Sequence, residues 1–261
     1  MKRAWLLCLM LLMLACSAAV AEDAPRGYVK GEGYQYVQLG EYPYEKDGTV
    51  KPVLWRILEV NGDKALLLTE YVIDAKQMIF ETDKKVIEKR KYRRITSYAE
   101  SDLYQYLNTQ GMDDLFGEDP IRQAFIEEEG GGKLFILNTS QYLTPAYGFT
   151  KARYGVTRSR YAKPTPYALA QGVYKDRNGN APYWASTVKS PKGYQMQLVG
   201  YDGHMSWGAY TRVNVGLRLN VRLDLTQLTL SGGDGTKENP FIYTYSGASA
   251  TESPTQEADH E

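Results

Sequence analysis

The pattern of apolar and polar residues is clearest in two apolar runs separated by a short turn. Leu54-Trp55-Arg56-Ile57-Leu58 and Ala65-Leu66-Leu67-Leu68 are apolar on both faces, which is typical of strands buried on both sides. Asn61-Gly62-Asp63 lies between them and supplies the left-handed backbone that a tight hairpin requires. We therefore expect Val53–Val60 and Lys64–Tyr71 to form a hairpin at the centre of a sheet.

Apolar residues have the spacing of a helix in two later segments of the chain. Ser97 and Glu100 have the spacing of a capping box, and Leu103 and Leu107 then recur at i, i+4, so a helix is predicted that ends at Asn108–Gly111. The second predicted helix has an N-cap, a proline in its first turn, an apolar face and a glycine stop. These features are Asp119, Pro120, the face formed by Ile121, Ala124 and Phe125, and Gly130-Gly131-Gly132.

The rest of the chain is richer in strand patterns. Leu134–Leu137 is predicted to be a short buried strand, and from Tyr183 to Asp224 short apolar runs alternate with Gly, Asn and Asp turns. The prediction is a single α+β domain at 34–245, with a mixed, mostly antiparallel sheet and a few short helices. Residues 22–33 are read as a leader, and 246–261, which lack large apolar side chains, as a disordered tail.

Residues 1–21 have the pattern of a secretory signal peptide. Lys2 and Arg3 form a basic start, Trp5–Leu14 an apolar run, and Ala19-Val20-Ala21 a cleavage site, so a secreted or extracellular protein is expected. The alternative is a lipoprotein anchored through Cys16, although Met13-Leu14-Ala15 fits a lipobox imperfectly. No later apolar run approaches the ~20 residues that a transmembrane helix needs.

Composition narrows the chemistry of the mature chain. Both cysteines lie in the signal segment, which excludes disulfides, cysteine catalysis and cysteine-bound zinc after cleavage. Without Lys2 and Arg3, 29 basic residues stand against 31 acidic ones, so nucleic acid is not expected as a partner. His204 is the only histidine outside the tail, and the sequence gives no catalytic residue, metal ligand or cofactor.

The candidate ligand site comes from an aromatic-rich segment near the C-terminal end of the predicted domain. Sugar rings stack on flat aromatic side chains, and their hydroxyls pair with carboxylates, amides and guanidinium groups. Trp55 is expected in the core and Trp207 nearer the surface, whereas Trp184 could serve either role. The predicted ligand-binding residues are Trp184, Tyr201, Asp202, Trp207, Tyr210 and Arg212.

Two local motifs invite more specific readings. Asp202-Gly203-His204-Met205-Ser206 brings together an acid, a base and a hydroxyl, but a turn between strands is favoured over a catalytic triad. Asp176-Arg177-Asn178-Gly179-Asn180 has alternating oxygen side chains, but it lacks the glycine and glutamate positions of an EF-hand. An Asn-Gly turn is therefore favoured over a calcium site.

Short stretches along most of the chain carry a resemblance to a known family. They are Val37–Pro43, Leu54–Val60, Ala65–Leu68, Ser101–Leu103 with Leu107-Asn108, Thr165–Ala168, Tyr183–Ser186 and Gly216–Arg218. With these stretches the chain resembles a bacterial family known as domain of unknown function 6273, and the core of the likeness is at about 53–225. Where the family tends to read Trp-Trp-Leu-Arg-Ser-Pro, this chain has Tyr183–Thr187, and where it reads Gly-Val-Arg-Pro-Ala, this chain has Gly216–Asn220. A tryptophan strand followed by a Gly-x-Arg strand is also similar to C-type-lectin-like domains, including formylglycine-generating enzymes.

The function expected from this sequence is non-catalytic binding of a carbohydrate or cell-wall polymer at the bacterial cell envelope. A protein-interaction module is one alternative. The other is a glycoside hydrolase that uses two carboxylates, since such pairs leave no signature in sequence spacing.

Overall fold

The computed structural model describes residues 24–89, 91–130, 132–189 and 194–247, and it has a mixed α+β architecture with two mostly antiparallel sheets. Short helices connect the sheets. The strands formed by the described residues are β1 Tyr36–Pro43, β2 Val50–Asn61, β3 Lys64–Thr69, β4 Asp74–Ala75, β5 Phe125–Ile126, β6 Tyr183–Val188, β7 Gln195–Val199, β8 Met205–Ala209, β9 Gly216–Leu217, β10 Asn220–Asp224, β11 Leu228–Gly232 and β12 Phe241–Tyr245.

The larger sheet has the order β11-β12-β1-β2-β3-β10-β5. Its centre is the predicted hairpin, because β2 and β3 pair antiparallel and Gly62 takes a φ of 56° in the turn. Both faces of β3 are buried, with Leu66, Leu67 and Leu68 fully enclosed. The prediction of a central hairpin is confirmed, and the run of apolar residues on both faces explains it.

The smaller sheet has the order β4-β9-β6-β7-β8. Strands β6, β7 and β8 form antiparallel pairs, while β6 and β9 run parallel and meet at Tyr183 and Gly216. Trp55 on β2 and Trp184 on β6 belong to one continuous apolar core. The two sheets therefore share buried surface.

The first predicted helix is present but is divided differently. A 3-10 turn, Tyr98–Glu100, precedes the helix Asp102–Leu107, and the N-cap is Ser101, whose hydroxyl accepts a hydrogen bond from the Tyr104 N–H (3.1 Å). The carboxylate of Glu100 instead accepts from Thr96 N at 3.1 Å. The named α-helices are α1 Lys84–Glu88, α2 Asp102–Leu107, α3 Gln110–Phe116 and α4 Pro166–Ala170.

Three further sequence predictions need correction. Gly111 lies inside α3 and does not end a helix. Pro120–Ala124 is a 3-10 helix, although Asp119 caps it as predicted by accepting from Ile121 N at 2.9 Å. Leu134–Leu137 is buried but forms no strand, because only Phe135 bridges to Asn220. For the last two segments, the apolar residues predicted to be buried are buried, but the hydrogen-bonding pattern differs from the prediction.

The described part of the leader, from residue 24, packs on the larger sheet. Tyr28 donates its N–H to Leu58 O at 3.2 Å, and its ring lies 4.9 Å from that of Tyr34. The predicted signal peptide at 1–21 and most of the predicted tail, 248–261, lie outside the described residues. Within the described ranges, no helix has the length and apolarity needed to cross a membrane.

Candidate functional site

The loop between β7 and β8 forms one side of the candidate site. Gly200 donates its N–H to His204 O, and Gly203 donates its N–H to Gly200 O, each at 2.8 Å. Asp202-Gly203-His204 therefore lies in a hairpin turn, as its composition predicts. Gly203 has a φ of 78°, a conformation that favours glycine.

Close packing also explains the two glycines of this loop. A Cβ atom on Gly203 would lie 2.0 Å from Thr157 O, and one on Gly200 would lie 2.8 Å from Asp202 Oδ1. Thr157 N donates to Asp202 O at 2.8 Å, which holds the loop against the preceding segment of chain. A side chain at either position would clash with its neighbours, so the close packing of this loop requires glycine at both.

A cleft of ≈ 250 Å³ opens beside this loop. Its floor is apolar and its walls carry hydroxyl, amide, imidazole and guanidinium groups, the mixture expected of a small-ligand site. It is named here the Tyr174–Tyr201 cleft. The lining residues are Tyr174, Pro182, Leu198, Gly200, Tyr201, His204, Ser206, Arg212, Asn214 and Val215.

Two tyrosines form the aromatic wall of the cleft. The rings of Tyr174 and Tyr201 have centroids 5.5 Å apart with an interplanar angle of 54°, and the residues are 46% and 43% exposed. Exposed aromatic rings in contact are available to stack on a ligand at little cost in side-chain ordering. Tyr174 is held in place by its N–H, which donates to Asn214 O at 3.1 Å.

The polar groups of the cleft include an acid–imidazole pair. His204 Nδ1 donates to Asp202 Oδ1, which leaves Nε2 as the second polar atom of the ring. Ser206 also lines the cleft, but no hydrogen bond joins it to His204 among the described residues. The arrangement is an oriented histidine rather than a catalytic triad.

Arg212 supplies positive charge to the same cleft. It is exposed, and its guanidinium forms no ion pair or hydrogen bond with a described residue. Of the predicted ligand-binding residues, the structure thus brings together Tyr201 and Arg212 on the cleft, with Asp202 behind His204.

Trp207 lies on the opposite face of the smaller sheet. Side chains alternate along a strand, and its neighbour Ser206 faces the cleft, so the indole points away from it. Trp207 is half-buried, opposite Gln197 on β7, and Lys189 Nζ lies 5.5 Å from its ring centroid. A ligand in the cleft would not touch this tryptophan.

Trp184 and Tyr210 are fully buried, so a surface ligand could reach neither residue. The Trp184 indole donates from Nε1 to Lys76 O at 2.9 Å. Tyr210 accepts at its carbonyl from Met78 N at 2.8 Å, and burial raises the pKa of its phenol. Both residues are core residues that support the sheet.

Sequence reasoning missed Tyr174, and it placed Asn214 in the aromatic-rich segment without including it among the predicted ligand-binding residues. Tyr174 and Asn214 lie 40 positions apart and are brought together by a backbone hydrogen bond, for which local spacing gives no signal. One sequence feature could have indicated Tyr174: it lies between Gly172 and the 176–180 turn. A tyrosine in such a position is less expected in the core than one at the centre of a strand.

The 176–180 segment is a turn, as its Asn-Gly pair indicates. Asp176 Oδ1 accepts from Asn178 N at 3.0 Å and from Asn180 N at 2.7 Å, so its carboxylate closes the loop. Within the described ranges, no group of three or more His, Cys, Asp or Glu residues could hold a metal ion.

Comparison with known proteins gives no match: no family model, curated protein or solved structure resembles this chain at a significant level.

Proposed function

We propose that this chain is an exported, non-catalytic carbohydrate-binding protein whose ligand occupies the Tyr174–Tyr201 cleft. The observation that carries the proposal is the pair of exposed tyrosine rings, 5.5 Å apart, above an apolar floor. Sugar rings have apolar faces that stack on phenols. Arg212, Asn214, Ser206 and His204 provide the hydrogen-bonding groups that sugar hydroxyls require.

Binding is favoured over hydrolysis by the composition of the cleft. Hydrolysis of a glycosidic bond needs two carboxyl groups about 5–10 Å apart on either side of the substrate. No Asp or Glu is among the described residues that line this cleft. The nearest carboxylate along the chain, Asp202, is occupied by His204.

A protein partner is the second candidate, and one observation favours it. Tyr154 and Val156 are each 73% exposed, on a loop bonded to the cleft loop through Thr157 N and Asp202 O. Neighbouring exposed apolar side chains of this kind mark interaction surfaces. They would widen the cleft into a larger contact area.

The proposal includes export, a C-type-lectin-like fold and kinship with the domain of unknown function 6273 family. Residues 1–21 support secretion, with lipidation at Cys16 as the alternative. The fold assignment is supported by the pairing of β6, which carries Trp184, with β9 at the start of Gly216-Leu217-Arg218. N-terminal sequencing of the exported protein tests the first point, and a crystal structure tests the second.

The binding proposal is tested by isothermal titration of the purified protein with neutral glycans and cell-wall fragments. We expect saturable binding that weakens about tenfold or more in Tyr201→Ala, which corresponds to about 1.4 kcal/mol. Tyr154→Ala is the matched control, because it removes an exposed phenol from outside the cleft. Loss of binding in Tyr154→Ala with retention in Tyr201→Ala would favour the wider interaction surface.

Trp207→Ala separates the two faces of the smaller sheet. It should leave binding in the cleft unchanged, since its indole lies on the other face. If Trp207→Ala abolishes glycan binding and Tyr201→Ala does not, the ligand site is at Trp207 and the cleft assignment is wrong.

A further inference from the structure

A second cleft, of ≈ 400 Å³, lies at the end of β3. Four separate stretches of chain build it, and they are held together by backbone bonds such as Val72 N to Lys163 O at 3.0 Å. It shares no lining residue with the Tyr174–Tyr201 cleft and is named here the Lys163–Lys237 cleft. Its lining residues are Glu70, Tyr71, Tyr161, Ala162, Lys163, Asn180 and Lys237.

Asn180 presents an unpaired amide to this cleft. The residue is only 5% exposed, and its backbone N–H and C=O are both bonded to Asp176. Its side-chain amide lines the cleft but forms no hydrogen bond with a described residue. The amide is therefore open to the cleft and can pair with a group that enters it.

The carboxylate at the base of the cleft is already saturated by cations. Arg56 donates to Glu70 Oε2 through both Nη2 and Nε, the latter at 2.7 Å, and Lys237 Nζ donates to Oε1 at 2.8 Å. Burial by itself would raise the pKa of Glu70, but Arg56, Arg218 and Lys237 outweigh burial and lower it. Glu70 is therefore an anion that neutralises one of several positive charges.

Arg218 adds a cation with no carboxylate of its own. It is fully buried, and its Nε and Nη2 donate to Thr69 O at 2.9 Å and 2.6 Å, while Nη1 bonds to no described residue. Lys163, exposed on the cleft wall, forms no ion pair with a described residue. Arg56, Arg218 and Lys237 thus act on the single carboxylate that lines the cleft, and Lys163 adds a further positive charge to its wall. Such an excess of positive charge attracts anions.

We propose that the Lys163–Lys237 cleft binds an anionic group, a phosphate or a carboxylate, carried by a small molecule or a polymer. Lys163 and Lys237 supply the charge, and the Asn180 amide donates a hydrogen bond. Tyr71 and Tyr161, whose hydroxyls bond to no described residue, offer further donors. This site does not depend on the glycan proposal, because it uses different residues and different chemistry.

The test is isothermal titration of the purified protein, at constant ionic strength, with inorganic phosphate, with D-glucuronate and with neutral D-glucose. We expect saturable binding of one or both anions and none of glucose. Binding of phosphate alone would identify a phosphorylated ligand, and binding of glucuronate alone a carboxylated one. No saturable binding of either anion would overturn the proposal.

Variants locate the binding. Lys163→Gln and Asn180→Ala should each weaken the anion about fivefold or more, whereas Lys64→Gln, which removes an exposed charge at the β2–β3 turn, should not. Equal weakening in Lys64→Gln would mean non-specific attraction and would overturn the proposal. Loss in Tyr201→Ala with retention in Lys163→Gln would place the anion in the other cleft. Thermal unfolding of each variant checks that it folds.

Discussion

Arg160 donates from Nε to the carbonyl oxygen of Gly203 at 2.7 Å, and this bond connects a fully buried guanidinium to the loop of the Tyr174–Tyr201 cleft. The same side chain also donates to Tyr142 O, Thr150 O and Ala152 O, at 3.1, 3.0 and 2.5 Å. One cation thus satisfies four carbonyls from two loops. This buried arginine pairs with no carboxylate of the described residues, and its donors instead satisfy carbonyls that lie outside the two sheets.

Arg160→Met should therefore lower the free energy of unfolding by about 3 kcal/mol or more, because it leaves buried carbonyls without donors. Arg158→Met is the matched control: Arg158 is exposed in the same 3-10 helix and should cost less than about 0.5 kcal/mol. Urea denaturation followed by circular dichroism measures both. A similar loss in the two variants would show that Arg160 does not fix these loops.

A methyl group added at Gly203 should damage the same loop. Gly203→Ala combines a left-handed φ of 78° with a Cβ position 2.0 Å from Thr157 O, so a loss of about 2–4 kcal/mol is expected. Gly62→Ala is the matched control, because its φ is 56° and no atom lies within 4 Å of the added Cβ. Gly62→Ala should lower the free energy of unfolding by only about 1 kcal/mol.

The two glycine variants are compared by their midpoints in urea. The difference between them isolates the clash from the backbone strain, since both residues share the left-handed conformation. If Gly203→Ala is no less stable than Gly62→Ala, the loop is free to shift away from Thr157 and the cleft is not rigid.

The strand pairing near β2 and β3 could be predicted from sequence because its signals are local. The apolar runs and Asn61-Gly62 specify a hairpin without reference to the rest of the chain. Ser97 does precede a helical turn, Tyr98–Glu100, but its side chain makes no capping hydrogen bond. The α-helix begins later because Ser101 offers the same hydroxyl four residues on and satisfies Tyr104 N. Two equivalent caps in one segment cannot be separated until the packing is known.

The candidate site was only partly predictable, and the reason is again distance along the chain. Tyr201 and Arg212 come from the segment that the sequence singled out, but their aromatic partner Tyr174 does not. The turn residues beside Trp207 predicted that it is more exposed than Trp184, and the structure agrees. Side chains alternate along β8, however, so Trp207 lies on the face of the sheet opposite the cleft. Composition indicated the segment, and strand geometry decided which face each side chain occupies.

Glu70 should give the protein an acid-sensitive stability. Its pKa is lowered in the folded state, where Arg56, Arg218 and Lys237 outweigh the effect of burial. A lowered folded-state pKa stabilises the fold above the unfolded value, about 4.3 for glutamate, and this stabilisation is lost as the pH falls through the folded value. Stability should therefore decline between pH 5 and pH 3.

Glu70→Gln tests this assignment. The variant should be less stable at pH 7 by about 3 kcal/mol, because a buried ion pair has lost one partner, and its stability should fall less steeply on acidification. Glu118→Gln, an exposed carboxylate in the loop after α3, is the control and should keep the parent's pH profile. Urea titrations at pH 7, 5, 4 and 3 measure the free energy of unfolding of the three proteins. If the stability of Glu70→Gln and of the parent falls in parallel with pH, Glu70 is not the source of the acid sensitivity.

The two tryptophans of the smaller sheet should differ in their effect on stability. Trp184 is fully buried and donates to Lys76 O, so Trp184→Ala leaves a cavity and an unpaired carbonyl and should cost about 3–5 kcal/mol. Trp184→Phe keeps most of the buried ring but loses the hydrogen bond, so it should lower the free energy of unfolding by about 1–2 kcal/mol. Trp207→Ala removes a half-buried ring and should cost about 1 kcal/mol of stability.

Because each variant removes one indole, the unfolding of the tryptophan variants must be followed by tyrosine fluorescence or circular dichroism. A larger loss of stability for Trp207→Ala than for Trp184→Ala would contradict the full burial of Trp184 and the half-buried position of Trp207.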